Sequence, residues 1–289
     1  MSNALPQESA GTGARSHPLF VATDIDGTLL DSRDRVPSAH REAFAAAAAA
    51  GATVCLATGR PPRWIPEILD ELGQTPLAVC ANGAVLLDTA SGEILWSSLL
   101  EPDVLEELAR IVHSALPGAG LAAERVGLDA ADDDFVASPD YEHAWIQPET
   151  VEVGHAEVIE RPVFKLLARV PGMSSAAMAE AVRDAAAHIA TVTYSTENGL
   201  IEFAPPGISK ATTLASLADR VSAVRFERAP GEPPRTVAFG DMPNDVEMLR
   251  WADLGVAMGN AHSAVVEAAD EVTLSSDEGG IAAVLSRWF

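Results

Sequence analysis

The 289-residue sequence predicts an α/β protein: a parallel sheet covered by helices on both faces, interrupted by a second, inserted α+β unit. Three observations predict it. Short, nearly continuous apolar runs alternate with helical patterns at both ends of the chain, as parallel strands buried on two faces require. Three of those runs stop at polar clusters, and ligands of an open parallel sheet sit outside the carboxyl ends of its strands. The middle of the chain has a different grain, with hairpin-like strands and two amphipathic helices.

Taken in order, residues 1–17 mix Ser, Gly, Pro, Gln and Glu with no apolar stretch and read as a flexible tail, not a signal peptide. Leu19–Ala22 is a β-rich run that ends at Asp24-Ile25-Asp26-Gly27. Ser38 opens a helix that continues through the Ala45–Ala50 run to a glycine stop at Gly51. Thr53–Ala57 is a second buried strand, ending at Thr58-Gly59-Arg60; a helix over Pro62–Leu72 leads to a third strand, Leu77–Cys80. Val85–Leu87 and Ile94–Ser97 form a hairpin about Ser91-Gly92. The inserted unit, residues 96–205, holds helices Asp103–Leu116 and Ser174–Ala187 and strands Val163–Val170, Thr191–Tyr194 and Leu200–Phe203. Pro205-Pro206-Gly207 closes it. Thr236–Phe239 then ends at Gly240-Asp241, followed by a helix over Val246–Trp251 and short strands Gly255–Met258 and Glu271–Leu274. The core is therefore residues 18–95 and 206–289.

Charge excludes several functions. Against 19 Lys+Arg stand 42 Asp+Glu, a formal charge of −23. Such a chain lacks the electrostatic footprint for a phosphate polymer, so nucleic-acid partners are not expected, and anionic membrane surfaces are disfavoured for the same reason. No stretch approaches the ~18 consecutive apolar residues of a membrane helix, and the expected location is cytoplasmic. Cys55 and Cys80 lie in apolar runs and read as reduced, buried thiols.

Carboxylates gathered at neighbouring strand ends repel one another and need a cation. Oxygen donors without nearby His or Cys favour Mg²⁺ over zinc. That ion would reverse the local sign, as an acidic protein requires if it is to bind a small phosphorylated molecule. An Asp carboxylate can serve as a nucleophile, and a second Asp two residues on lies on the same side of an extended chain, placed to handle a leaving-group proton. The Thr58 hydroxyl and the Lys210 ammonium could hold phosphate oxygens. Bland alternatives stand beside these: Asp245 as a helix cap, Lys210 as a surface lysine at a helix start, Arg60 in a surface ion pair instead of on substrate.

Asp24-Ile25-Asp26-Gly27-Thr28-Leu29-Leu30 resembles motif I of the haloacid-dehalogenase-like superfamily. Thr58-Gly59-Arg60 resembles motif II, Lys210 motif III, and Gly240-Asp241-Met242-Pro243-Asn244-Asp245 motif IV. Ala81-Asn82-Gly83-Ala84, Met258-Gly259-Asn260-Ala261 and the 149 residues between Pro61 and Ser209 match the Cof-type phosphatase branch, which has its cap there. The resemblance implies a Rossmann-like, doubly wound core and a mobile α+β cap that chooses the substrate. It implies Asp24 as nucleophile and Mg²⁺ ligand, Asp26 as acid/base that ligates through its backbone carbonyl, and Asp241 as the third protein ligand. Thr58, Gly59, Lys210, Asn244 and the Ile25 N–H would contact phosphate; whether Arg60 contacts substrate or forms a surface ion pair stays open. Asp245 would orient Lys210 or a metal-bound water. The implied activity is hydrolysis of small phosphorylated metabolites through an aspartyl-phosphate. A phosphotransferase or mutase is the nearest alternative, and a non-enzymatic phosphate-binding regulator a more distant one. Gly118-x-Gly120-x-x-Ala123 has dinucleotide-fingerprint spacing but follows a helix, so it is rejected.

Overall fold

A computed structural model of the chain describes residues 17–125, 135–143, 150–220 and 234–289. Chain order begins with β1 (Phe20–Thr23), α1 (Ser38–Ala49), β2 (Thr53–Ala57), α2 (Ile65–Leu72), β3 (Leu77–Cys80) and the hairpin β4 (Val85–Asp88) and β5 (Glu93–Ser97). The inserted unit follows as α3 (Pro102–Ala115), β6 (Gly120–Arg125), β7 (Phe135–Ala137), β8 (Thr150–Glu152), α4 (His155–Val158), β9 (Val163–Arg169), α5 (Ser175–Ala186), β10 (Thr191–Thr193) and β11 (Leu200–Ala204). The chain returns through α6 (Lys210–Arg220), β12 (Thr236–Gly240), α7 (Val246–Trp251), β13 (Leu254–Ala257), α8 (Ser263–Ala268), β14 (Glu271–Val272) and α9 (Gly280–Leu285).

The core sheet runs β14-β13-β12-β1-β2-β3-β4-β5, parallel from β14 to β3 and antiparallel over the last two strands. The chain steps from β1 to β2 and β3 on one side, and from β12 to β13 and β14 on the other. The topological switch therefore falls between β1 and β12, where Thr23 pairs with Phe239. Strand alternation sorts the core. Val21, Val54, Leu56, Val237 and Phe239 join Phe44 of α1, Ile68 of α2 and Val284 of α9 on one face. Phe20, Ala22, Cys55, Ala57 and Ala238 meet Leu214 of α6, Met248 of α7 and Val265 of α8 on the other. Each large apolar side chain so buried stabilises by roughly 1.5–3 kcal/mol.

The inserted sheet is ordered β10-β11-β9-β6-β7-β8 and is antiparallel except for β7 with β8. Helices α3 and α5 cover one face through Leu108, Val112, Met178 and Val182. The opposite face turns Glu124, Lys165 and Glu202 towards the core, and Phe164 of β9 joins the core's own apolar cluster. Trp96 and Ser97 pair with Leu86 and Val85, so both remain in the core sheet, beyond the 95/96 division drawn from sequence. The first pairing with the cap is the Leu100–Val163 bridge.

Strands β6, β7 and β8 and helices α4, α8 and α9 were not foreseen from the pattern. β6 reads Gly-Leu-Ala-Ala-Glu-Arg, poor in β-branched residues, and is a strand because β7 and β9 pair with it on both sides. The rejected Gly118-Gly120-Ala123 spacing leads into this strand, which confirms the rejection. Tyr141 packs against the Phe135 and His143 rings. Trp145, the Asp132–Asp134 run and residues 1–16 lie outside the described residues. No helix among the described residues is long and apolar enough to cross a membrane.

Candidate active site

Asp24 follows β1 directly, and its N–H donates to the Phe239 carbonyl of β12 (3.0 Å), which fixes it at the switch point. The turn after it contains Gly27 at φ +73°; a Cβ there would stand 2.4 Å from Asp241 Oδ2, so only glycine lets the two loops approach. Thr28 Oγ1 donates to Asp241 Oδ1 (3.0 Å), and Asn260 Nδ2 donates to the Gly27 carbonyl (2.8 Å). Asp245 is fully buried beneath Gly240; its Oδ2 accepts the Asp241 and Met242 N–H groups, both at 3.0 Å.

Lys210 is held at the start of α6 by the Asn82-Gly83 turn. A Cβ on Gly83 (φ +107°) would meet the Ser209 carbonyl at 2.3 Å, and Thr213 Oγ1 donates to the Gly83 carbonyl. From there Nζ reaches Asp24 Oδ1 and Asp245 Oδ1, both at 2.6 Å. At 1% exposure it is no surface lysine. Burial alone would lower its pKa, but the Asp24 and Asp245 carboxylates hold it above the ordinary lysine value.

Asp24, Asp241 and Asp245 each offer an oxygen within 4.8 Å of the others, the one such cluster among the described residues. Burial pushes the Asp24 carboxyl well above its usual range; Lys210 pulls it back, while Asp245, Asp241 and Asp26 push it further. Asp241 is pushed up to about 7, by burial and then by Asp245. Three crowded carboxylates share one ammonium, and the donors are all hard oxygens. This donor set fits a divalent cation such as Mg²⁺. The cluster adds the Asp245 carboxylate to Asp24 and Asp241, while the part expected of Asp26 falls to its backbone carbonyl. The Asp26 side chain lines the same cavity as Asp24 but is 57% exposed, with Arg60 Nε and Nη2 gripping its carboxylate at 2.6–3.2 Å. Arg60 thus pairs with Asp26 while itself lining the cavity they share.

Thr58 is buried after β2, with Oγ1 accepting the Arg60 N–H (3.0 Å). Asn244 Nδ2 donates to Asn82 Oδ1 (3.0 Å), while its buried Oδ1 has no protein partner. Asp24, Asp26, Gly59, Arg60 and Asn244 line a cavity of about 330 Å³ between core and cap, whose far wall includes Glu124, Lys165 and Glu202. The cap residues were missed from sequence. A lone charge inside an apolar strand was the available signal: Lys165 in Val163–Arg169, Glu202 in Leu200–Ala204. Asn82, quoted only within a motif, proves to be a contact between Asn244 and the cap.

A doubly wound core with buried carboxylates at its switch point, roofed by an inserted domain, defines a capped α/β enzyme. The chain belongs to the haloacid dehalogenase-like hydrolases, whose family model matches residues 21–285. Among relatives, the 5-amino-6-(5-phospho-D-ribitylamino)uracil phosphatase YitU of Bacillus subtilis (strain 168) is 28% identical over 281 residues, 94% of this chain and 98% of the relative. The fold is shared with SMU.1108c from Streptococcus mutans UA159 (TM-score 0.79, 22% identity, covering 94% of this chain and 98% of that one). It is also shared with the subclass IIB sugar phosphatase BT4131 (TM-score 0.71, 23% identity, covering 92% and 97%).

Proposed function

We propose that this hydrolase is a magnesium-dependent phosphatase of small phosphorylated metabolites, in the sugar-phosphate or cofactor-phosphate class, working through an aspartyl-phosphate on Asp24. The observation that carries the reading is the placement of Asp24 at the switch point, bound to Lys210 and crowded by Asp241 and Asp245, with Asp26 facing the same cavity. The relative YitU, named for a phosphorylated ribitylamino-uracil, supports a small phosphate ester, and the cavity has the size of a metabolite site.

Asp24, Asp241 and the Asp26 carbonyl would hold the magnesium ion, with Asp245 close by. When bound, the ion supplies positive charge that offsets the carboxylates and polarises the phosphoryl group. Lys210 holds Asp24 Oδ1, which leaves the other carboxylate oxygen to attack phosphorus. The Thr58 hydroxyl, the Gly59 and Ile25 N–H groups and the Asn244 amide surround the non-bridging oxygens. As the Asp24–phosphorus bond forms and the ester P–O bond breaks, Asp26 gives its proton to the departing alkoxide. It then takes a proton from the water that attacks the aspartyl-phosphate, and phosphate leaves with Asp24 restored.

The test is turnover of an aryl phosphate, then of a metabolite-phosphate panel, with and without magnesium. Magnesium-dependent turnover abolished by Asp24→Asn supports the proposal. A folded, magnesium-binding protein that hydrolyses nothing across the panel refutes it.

A further inference from the structure

We propose that Lys165 and Glu202 of the cap form a latch that sets the geometry of the phosphate-binding loops, so that cap closure and assembly of the phosphate cradle are one event. The inference rests on the phosphatase reading and assigns these two as positioning residues.

Lys165 lies on β9 and Glu202 on the adjoining β11, both at most 4% exposed, and Lys165 Nζ donates to Glu202 Oε1 (2.6 Å). A buried ion pair usually turns inward on its own domain, but this one grips the other. Lys165 Nζ also donates to the Gly59 carbonyl of the core (2.9 Å), and Glu202 Oε2 accepts Asn82 Nδ2 (2.9 Å). Each grip lands one bond from a phosphate donor.

The Gly59 carbonyl belongs to the same peptide as the Arg60 N–H, and that N–H donates to Thr58 Oγ1. An ammonium on the carbonyl polarises the peptide and strengthens its N–H as a donor. With its lone pair engaged, the Thr58 hydroxyl has its proton free for phosphate. On the other arm, Glu202 can accept only from the NH₂ end of Asn82. That choice turns Asn82 Oδ1 towards Asn244, whose Nδ2 it accepts (3.0 Å), and fixes which way the Asn244 amide faces the cavity. Asn82 itself is pinned at φ +55°, with its N–H on the Thr58 carbonyl, so it cannot turn to another partner without the loop moving.

The experiment reads inorganic phosphate affinity by calorimetry and aryl-phosphate kcat and KM, on the full chain with magnesium. Lys165→Met is expected to weaken phosphate binding and lower kcat by about tenfold or more, because small misplacements of a catalytic group are costly in rate. Lys165→Arg, which can still span both acceptors, should restore part of each. Since Lys165→Met strands a buried carboxylate, Lys165→Met/Glu202→Gln serves as the uncharged companion; it keeps an acceptor for Asn82 and should lose only the Thr58 arm. The deciding readout is a cycle with Thr58→Ala: in that background Lys165→Met should cost almost nothing further in phosphate affinity. Equal loss in both backgrounds overturns the latch. So do unchanged affinity and kcat with a lowered thermal midpoint, or an unaltered chain that binds no phosphate. Phosphate binding is read without turnover, so a chain that binds phosphate through a coupled cycle yet hydrolyses nothing refutes the phosphatase reading while sustaining the latch.

Discussion

Lys210 Nζ lies 2.6 Å from Asp245 Oδ1, and both side chains are buried with at most 1% exposure. Asp245 spends its other oxygen on two backbone N–H groups of the Asp241 turn. It is therefore a strut between the cation that supports Asp24 and the loop that carries Asp241. Asp245→Asn exchanges one of these acceptors for a donor that faces either an N–H or an ammonium. A loss of about 1–3 kcal/mol in urea unfolding is expected, with turnover reduced alongside. An unchanged unfolding midpoint would show that the strut is dispensable.

Gly27→Ala should damage the site more than the fold. The left-handed backbone costs about 1–3 kcal/mol for a residue with a side chain, and the new methyl lands on the Asp241 carboxylate. Weaker magnesium binding and lower turnover are expected, both measurable on folded protein. Gly92→Ala in the β4–β5 hairpin is the control: it has φ +76° and open space around it, and should lose stability without losing activity.

Metal-free protein should be least stable on the alkaline side. Asp24 and Asp241 hold their protons more tightly folded than unfolded, Asp241 up to about 7. Their stabilising contribution is fully present below about pH 4 and is lost as pH rises through about 7. Thermal midpoints in EDTA should therefore fall across that window relative to an Asp241→Asn variant. Magnesium should recover much more stability at about pH 8 than at about pH 5, because at the higher pH it replaces no protons. A magnesium effect independent of pH would contradict the assignment.

Arg60→Lys should lower kcat by about tenfold while leaving inorganic phosphate affinity unaltered, since a point charge cannot replace the two-atom grip on Asp26. Loss of phosphate affinity instead would mean that Arg60 acts on substrate.

Burial pushes the Cys55 thiol up to about 12, and Cys80 is equally buried. Neither should react with an aromatic disulfide reagent at neutral pH until the protein unfolds, when two equivalents should appear. Rapid labelling of native protein would show that the core opens readily.

The core elements were legible because parallel strands are apolar throughout and end at motifs: Thr53–Ala57 and Leu77–Cys80 have the predicted bounds. Asp24, Lys210 and Asp241 were legible because their motifs sit at strand and helix ends, and the structure brings all three together. The Arg60 grip on Asp26 was not legible. Alternation along an extended chain puts Asp26 on the side of Asp24, and both line one cavity, but the partner that holds its carboxylate comes from the loop after β2, 34 residues on. The cap was harder because β6 gains its strand character from neighbours distant in sequence, and the partners of Lys165 and Glu202 lie in the other domain.

The position of β1 has a consequence for biosynthesis. Its neighbour on one side, β2, leaves the ribosome soon after it, but β12 follows only after the whole cap and α6. Until then β1 has an unpaired edge in the middle of the future sheet, a template for stray strands that a nascent chain must keep sheltered. The same delay keeps Asp24 from Lys210, Asp241 and Asp245, all of which are translated after the cap, so the carboxylates are not crowded together until the ammonium that counters them is present.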